Sequence, residues 1–409
     1  MPNDVFRKKK IILGVTGCIA AYKACYLTRE LKNRGAEVKV IMTPSALQFV
    51  APLTFSTLSG NPLIVNIFPG LQQNGTDVST WHIDTARWAD LILIAPATVN
   101  TVAKIAYGFA DNALTTLVSA ARSPLVVVPA ADVDMYMNKT TTANIQKLEE
   151  LGHYVVYAEE GELASGLSGY GRMADINKII DSTELVLSGI KKDLNGKKIL
   201  VTAGPTYEDI DPVRYIGNRS SGKMGYSLAK AAFLRGAHVT LISGPSAEAA
   251  YPEIKLYKVR SAKEMKAAVT KELKTNDILI MSAAVADYKP AETSQRKIKK
   301  EDKLASLRLM QTDDILSSIK KDSAYGTGGK KIIGFALETN DAEKNGAKKL
   351  KEKNLDMIVL NSLRDKESGF EYDSNKITII GKSGKKKSFS LQSKFQAANN
   401  ILTEIKKIL

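Results

Sequence analysis

Gly217-Asn218-Arg219-Ser220-Ser221-Gly222-Lys223 spells G-x-x-x-x-G-K, the spacing of a loop that wraps phosphate in backbone amides. Met224 stands where such a loop needs a Ser or Thr hydroxyl for magnesium, and the segment starts 14 residues after Ala203, the end of the strand before it. It is not a P-loop. A turn rich in Gly and Ser that enters a helix still offers outward-pointing amides to an anion. Gly17, after the apolar run Lys10–Val15, stands at a similar turn. Neither half carries G-x-G-x-x-G after its first strand, so a dinucleotide fingerprint is absent. His82, His153 and His238 lack metal-ligand spacing. Cys18 and Cys25 make neither a disulfide framework nor a C-x-x-C pair, which points to a reducing, cytoplasmic setting. Lys297 heads a Lys-Ile-Lys-Lys run that reads as a solvated face on composition alone.

These residues need a scaffold, and the hydrophobic pattern supplies two. Lys10–Val15, Glu37–Thr43, Leu91–Ala95, Leu125–Pro129 and Tyr154–Tyr157 are short, nearly continuous apolar runs separated by helical periodicity. That pattern predicts a parallel sheet covered on both faces. The second half repeats it, with strands at Lys198–Ala203 and His238–Ser243 around a helix at Gly222–Leu234. The echo is nearly literal: RGAEVKVIMTPSA at 34–46 against RGAHVTLISGPSA at 235–247, and ADLILIAPA at 89–97 against NDILIMSAA at 276–284. Duplication and convergence explain it almost equally well. The prediction is an α/β chain of two doubly wound, Rossmann-like domains, 1–187 and 198–409, joined by a polar linker at 188–197. Each should bind ligand at the carboxyl ends of its strands.

The chain of 409 residues, 44% hydrophobic and 25% charged, excludes collagen-like, coiled-coil and disordered classes. Its longest nearly apolar run, Leu91 to Val99, is far shorter than the ~20 residues of a membrane helix. Arg7-Lys8-Lys9-Lys10 followed by IILGVTGC imitates a signal peptide, but cleavage before Cys18 would remove a strand the fold requires. Residues 1–190 carry 16 Lys and Arg against 17 Asp and Glu, whereas residues 191–409 carry 42 against 26. A basic second half suits phosphorylated small molecules as well as nucleic acid, and no nucleic-acid motif accompanies it.

GVTGCIAAYK at 14–23, MTPSA at 42–46, WHID at 81–84, APATVNT at 95–101 and GYGRM at 169–173 resemble the flavin-dependent cysteine decarboxylases. TAGPTYEDIDPVRYIGNRSSGKMG at 202–225, AAVADY at 283–288, KIKK at 297–300 and GFALETN at 334–340 resemble phosphopantothenate–cysteine ligase. In this order they resemble the bifunctional bacterial family of coenzyme A synthesis. The resemblance implies ligation of cysteine to 4′-phosphopantothenate with CTP and Mg2+ through an acyl-cytidylate. FMN-dependent decarboxylation to 4′-phosphopantetheine would follow. It also implies homo-oligomers: trimers of the flavin half, dimers of the ligase half, and a shell up to a dodecamer.

Carried onto this chain, the resemblance implies FMN at Gly17, Thr43, Ser45, Pro96, Thr98, Asn100 and Thr101, with His82 guiding the thiol proton. In the ligase half, Asn218 would assist the acyl-cytidylate and its attack by cysteine, its amide donating to a developing oxyanion. Lys297 would meet the CTP phosphates, Asp287 the nucleotide or its Mg2+, and Gly334, Phe335 and Glu338 the nucleotide. Two positions depart from the family pattern. Asp132 replaces the Asn of P-A-M-N, beside the departing carboxylate, and Ser165 replaces the lid cysteine before GYGRM. An ionised Asp132 favours loss of carbon dioxide but opposes binding, unless the two carboxylates share a proton. Two other readings use the same residues: a competent ligase whose flavin half decarboxylates poorly, and a non-catalytic basic flavoprotein that binds nucleic acid.

Overall fold

Lys10–Val15, KIILGV, is buried at all but its first residue, so it must be covered on both faces. The computed structural model describes residues 5–68, 80–299, 306–320, 329–338, 341–362 and 372–409, and divides into two units, 1–191 and 192–409. In the first unit, β1 (Lys10–Val15), β2 (Glu37–Met42), β3 (Leu91–Ala97), β4 (Leu125–Pro129) and β5 (Tyr154–Val155) form one sheet in the order β2-β1-β3-β4-β5. All its pairings are parallel. The helices are α1 (Lys23–Asn33), α2 (Pro52–Ser59), α3 (Trp81–Trp88), α4 (Val99–Tyr107), α5 (Ala113–Ala120), α6 (Val133–Met137), α7 (Lys139–Glu150) and α8 (Ile176–Leu187). Alternate strand residues divide between two cores. Ile11, Leu13 and Val15 pack with Leu27 and Ile179, while Ile12, Ile92 and Ile94 pack with Leu114 and Leu148. The order is that of flavodoxin-like folds, whose ligand crevice opens between β1 and β3, where successive crossovers leave in opposite directions. A hairpin of β6 (Glu159–Glu162) and β7 (Ser168–Arg172) follows β5. The strand expected to reach Tyr157 stops at Val155, and Tyr157 instead donates its hydroxyl hydrogen bond to Glu149.

In the second unit, β8 (Lys198–Ala203), β11 (His238–Ser243), β12 (Lys255–Lys258), β13 (Ile278–Met281), β16 (Lys331–Glu338), β17 (Met357–Ser362), β18 (Ser374–Gly381) and β19 (Lys386–Ser393) make an eight-stranded sheet. Its order is β12-β11-β8-β13-β16-β17-β18-β19, parallel through β17 and antiparallel beyond. The first six strands follow the 3-2-1-4-5-6 order of a dinucleotide-binding fold, with the crevice between β8 and β13. Two hairpins, β9 (Tyr207–Asp209) with β10 (Tyr215–Gly217) and β14 (Tyr288–Pro290) with β15 (Leu309–Gln311), flank it. The helices are α9 (Lys223–Leu234), α10 (Ala262–Leu273), α11 (Ile315–Lys320), α12 (Ala342–Glu352) and α13 (Lys394–Lys406). Residues of α10, α11 and α12 share one core with Leu200, Leu279, Ile332 and Ile358. Truncating such a buried leucine to alanine costs about 2–5 kcal/mol.

The stretch 188–197 is less of a bare linker than its polarity suggests. Leu194 is buried, and Asp193 pairs with Arg235 and Lys406 of the second unit. Among the described residues, no helix is long and apolar enough to cross a membrane.

Candidate active sites

In the first unit, Thr16 joins the two strand ends that border the crevice. Its hydroxyl donates to the Pro96 carbonyl at 2.8 Å and accepts from the Thr98 amide at 2.9 Å. Gly17 follows with no room for a side chain, since an added Cβ would lie 2.5 Å from Ser45 Cβ. Its backbone can therefore approach a ligand closely. Thr43, at the end of β2, is buried, and its Oγ1 has no hydrogen-bond partner. A buried hydroxyl of this kind lacks a partner that a bound molecule can supply. Thr98 caps α4 through the Thr101 amide, and the two hydroxyls lie 3.2 Å apart. Thr98 and Thr101 thus shape the turn, Pro96 is buried beneath it, and Asn100 and Ser45 are exposed. A Gly-lined turn, an orphaned hydroxyl and a crevice at the β1/β3 switch suit the phosphate and flat ring system of FMN.

His82 is the second residue of α3, edge-on to Trp81 with ring centroids 5.8 Å apart. Asp132 is half-buried at the N-cap of α6 and makes no cap hydrogen bond with its side chain. The β6–β7 hairpin lies against it: the Ala131 amide donates to the Gly171 carbonyl at 3.0 Å. Only glycine permits that approach, because a Cβ at 171 would sit 2.3 Å from Ala131 O on a backbone with φ +147°. Ser165 does not join Asp132. It lies exposed in the turn of the hairpin, where its Oγ accepts from the Leu167 amide at 3.4 Å.

In the second unit, a cavity of about 750 Å³ opens along the carboxyl ends of the sheet. It gathers Asn218, the start of α9 at Ser220–Gly225, the segment 281–288 with Asp287, and Phe335. Three of the expected residues thus meet: Asn218, Asp287 and Phe335. Gly334 does not line the cavity; a Cβ there would meet Leu355 Cδ1 at 2.6 Å, so this glycine lets β16 pack. Glu338 ends β16, and its side chain lies outside the described residues. Lys297 is exposed and absent from the lining. Its neighbour Ile298 is held at both backbone groups, the amide by Asp211 Oδ2 and the carbonyl by Arg214. The Arg214 guanidinium holds the Asp211 carboxyl well below the usual carboxylate range.

The cations that line the cavity are Lys223, Lys349, Lys353 and Lys394. Lys223 closes the G-x-x-x-x-G-K segment, whereas the other three lie outside every motif. Lys349 and Lys353 lie four residues apart, one helical turn, the signal that could have found them. Lys394, the first residue of α13, carries no local signal. Burial, then the charge of Lys223, pushes the Lys394 ammonium down to about 8. The Asn218 amide also differs from expectation. Its Nδ2 donates to the Ala284 and Val285 carbonyls, both at 3.1 Å, which the motif did not foretell. For Mg2+, Asp287 is an exposed carboxylate in the wall, with Asp313 and Asp314 also lining the cavity. Asp313 and Asp314 are paired with Lys266 and Lys353, and among the described residues no three such side chains cluster. Asp287 is thus the carboxylate free to meet Mg2+, and substrate phosphates would complete the coordination.

Fold and sites define a class: a flavoprotein domain in tandem with a Rossmann-type ligase domain. A flavoprotein family model matches residues 2–188, and the DNA/pantothenate metabolism flavoprotein C-terminal domain matches residues 194–409. A Bacillus subtilis (strain 168) protein named coenzyme A biosynthesis bifunctional protein CoaBC is 42% identical over 406 residues, covering 98% of this chain and 97% of its own. A cysteine/cysteine sulfinic acid decarboxylase of an unknown prokaryotic organism is 45% identical over 363 residues, covering 87% and 98%. A crystal structure of the C-terminal domain of a CoaBC protein is 38% identical, covers 53% of this chain and 98% of its own, and has a TM-score of 0.45. The chain belongs to the family of coenzyme A biosynthesis bifunctional proteins, enzymes with ligase and decarboxylase activities.

Proposed function

We propose that the second unit joins cysteine to 4′-phosphopantothenate with CTP and Mg2+ through an acyl-cytidylate, and that the first unit decarboxylates the product to 4′-phosphopantetheine with FMN. The observation that carries the ligase half is the single cavity that holds Asn218, Asp287 and Phe335 among four lysines. Fixed cations offset the charge of a triphosphate and a phosphorylated acid. Asp287 faces the nucleotide and its Mg2+, and Phe335 offers a ring to the base. Lys297 meets the phosphates from its exposed loop; among the lining lysines, Lys349 donates to the Phe335 carbonyl and Lys353 pairs with Asp314.

When bound, FMN supplies the oxidation of the cysteinyl thiol and the later return of a hydride. Gly17, Thr43, Ser45, Pro96, Thr98, Asn100 and Thr101 hold it at the β1/β3 crevice. His82 takes or guides the thiol proton. Asp132, beneath the hairpin, stands beside the departing carboxylate. Ser165 serves through water from the hairpin turn, since a hydroxyl is a far weaker acid than a thiol. The enzyme works in the cytoplasm, consistent with two free cysteines. Trimeric flavin units and dimeric ligase units would cover exposed apolar side chains such as Tyr22, Tyr26 and Leu53 in one and Val213, Tyr215 and Met310 in the other.

Mass spectrometry of products from phosphopantothenate, cysteine, CTP and Mg2+ tests both halves. Phosphopantetheine is the expected end product. Phosphopantothenoylcysteine alone would mean a chain that ligates without decarboxylating, and no conjugate would overturn the ligase assignment.

A further inference from the structure

Asp211, in the turn between β9 and β10, has a fully buried carboxylate. Its Oδ1 accepts from the Val213 and Arg214 amides at 2.9 and 2.8 Å. Those two bonds close the turn, as Asp side chains commonly do. Its Oδ2 accepts from the Arg214 guanidinium, through Nε at 3.0 Å and through Nη2, and from the Ile298 amide at 3.2 Å. The bond to Ile298 joins residues 87 apart in sequence, and no turn requires it.

Three further bonds reinforce it. Arg214 Nη2 donates to the Ile298 carbonyl at 2.9 Å, the Ser294 amide to the Ile210 carbonyl at 2.9 Å, and the Thr293 hydroxyl to the Asp209 carbonyl at 3.0 Å. Segment 293–298 is thus stitched to 209–214, in the hairpin whose second strand runs into Asn218 of the cavity wall. Lys297 lies inside the stitched segment with its side chain exposed. A lysine on a flexible four-carbon stem is aimed only as well as its backbone is held. Asp211 itself does not line the cavity.

We propose that Asp211 is a positioning residue of the ligase: it clamps the backbone at Ile298 and so fixes the place from which Lys297 reaches the nucleotide phosphates. This rests on the ligase reading above. A carboxylate suits the task because its bonds to N–H groups are charge-assisted and stronger than those of a neutral acceptor. It also holds the clamp shut, since releasing Ile298 and Arg214 would leave a buried charge unpaired.

The test uses the full chain, with Asp211→Asn and Lys297→Gln made singly and together. Conjugate formation at varied CTP gives kcat/KM for the nucleotide. Each single change should lower it by about 10- to 100-fold, the span of one lost hydrogen bond to a charged group. The double variant should fall little further than either, because the two residues act as one unit. Trypsin should cut after Arg296 or Lys297 about tenfold faster in Asp211→Asn, as local opening of the segment becomes easier. Should that variant fail to fold, Ile298→Pro removes the clamped amide, keeps the Asp211–Arg214 pair, and must show the same loss and the same non-additivity. Parent-like CTP kinetics in either single variant would overturn the proposal. Losses that multiply in the double variant would also overturn it, since Asp211 would then act apart from Lys297. A parent chain that makes no conjugate fails the ligase reading instead. The clamp is then decided by trypsin, and unchanged cleavage would overturn it.

Discussion

Arg34 and Arg235 open the same three residues, Arg-Gly-Ala, at the same turn from the first helix into the next strand of each main sheet, yet they end in different environments. Arg34 stays near the surface, bonded to Glu30 at 2.9 Å and facing Glu184 at 3.8 Å. Arg235 is fully buried. It meets Asp193 through two nitrogens at 2.8 and 3.0 Å, the Asn399 carbonyl at 2.9 Å and Thr403 Oγ1 at 3.2 Å. The glycines after them differ likewise. Both have positive φ, +85° at Gly35 and +90° at Gly236, but a Cβ at 236 would lie 1.8 Å from Asn195 Oδ1, against 3.5 Å from the Arg7 backbone at 35. The same local sequence sits under different neighbours. In the second unit, residues 193–195 and α13 fold over the turn and convert a surface arginine into a buried joint.

Removing the arginines should break this comparison most visibly. Arg235→Met should destabilise the second unit by about 3 kcal/mol, the low end for breaking a buried pair, because Asp193 keeps Lys406 and the Asn399 carbonyl keeps Thr403. Arg34→Met should cost less, about 1 kcal/mol, because its pair with Glu30 stays partly in water. Urea unfolding of the two variants checks this, and equal losses would abolish the distinction. The glycines come next. Gly236→Ala adds a clash to an unfavourable backbone and should cost about 1–3 kcal/mol, while Gly35→Ala should cost about 1 kcal/mol from the backbone alone. Melting temperatures rank them.

The smallest effect is in pH. Burial would raise the Asp193 carboxyl, but the hydrogen bonds from Arg235 and Lys406 outweigh it and hold the group below its ordinary value. A carboxylate depressed in the folded state contributes stability above its unfolded value, about 3.9, and loses it as pH falls further. The second unit should therefore weaken below about pH 4, and Arg235→Met should blunt that acid limb. An acid limb unchanged in the variant would show that other carboxylates carry it.

The sheets were legible because buried parallel strands must be apolar along their whole length. Lys10–Val15, Leu125–Pro129, Lys198–Ala203 and His238–Ser243 begin and end as their apolar runs do. The site was legible where its residues sit at strand ends, as Gly17, Thr43, Asn218 and Asp287 do. Lys297 illustrates the converse, since its motif identifies the residue but not where its loop lies. That Lys394 joins Lys223 could not be anticipated, because the two meet only through the packing of α9 against α13.

Local order in the chain thus determined which segments are strands, which turns end them and which family the motifs belong to, because those depend on residues a few places apart. Tertiary structure alone decided that the arginine of one Arg-Gly-Ala is fully buried and its twin only half-buried, that four lysines share a cavity, and that the Asn218 amide bonds to the Ala284 and Val285 carbonyls. Each of these depends on groups that lie far apart in sequence and become neighbours only when the sheet closes.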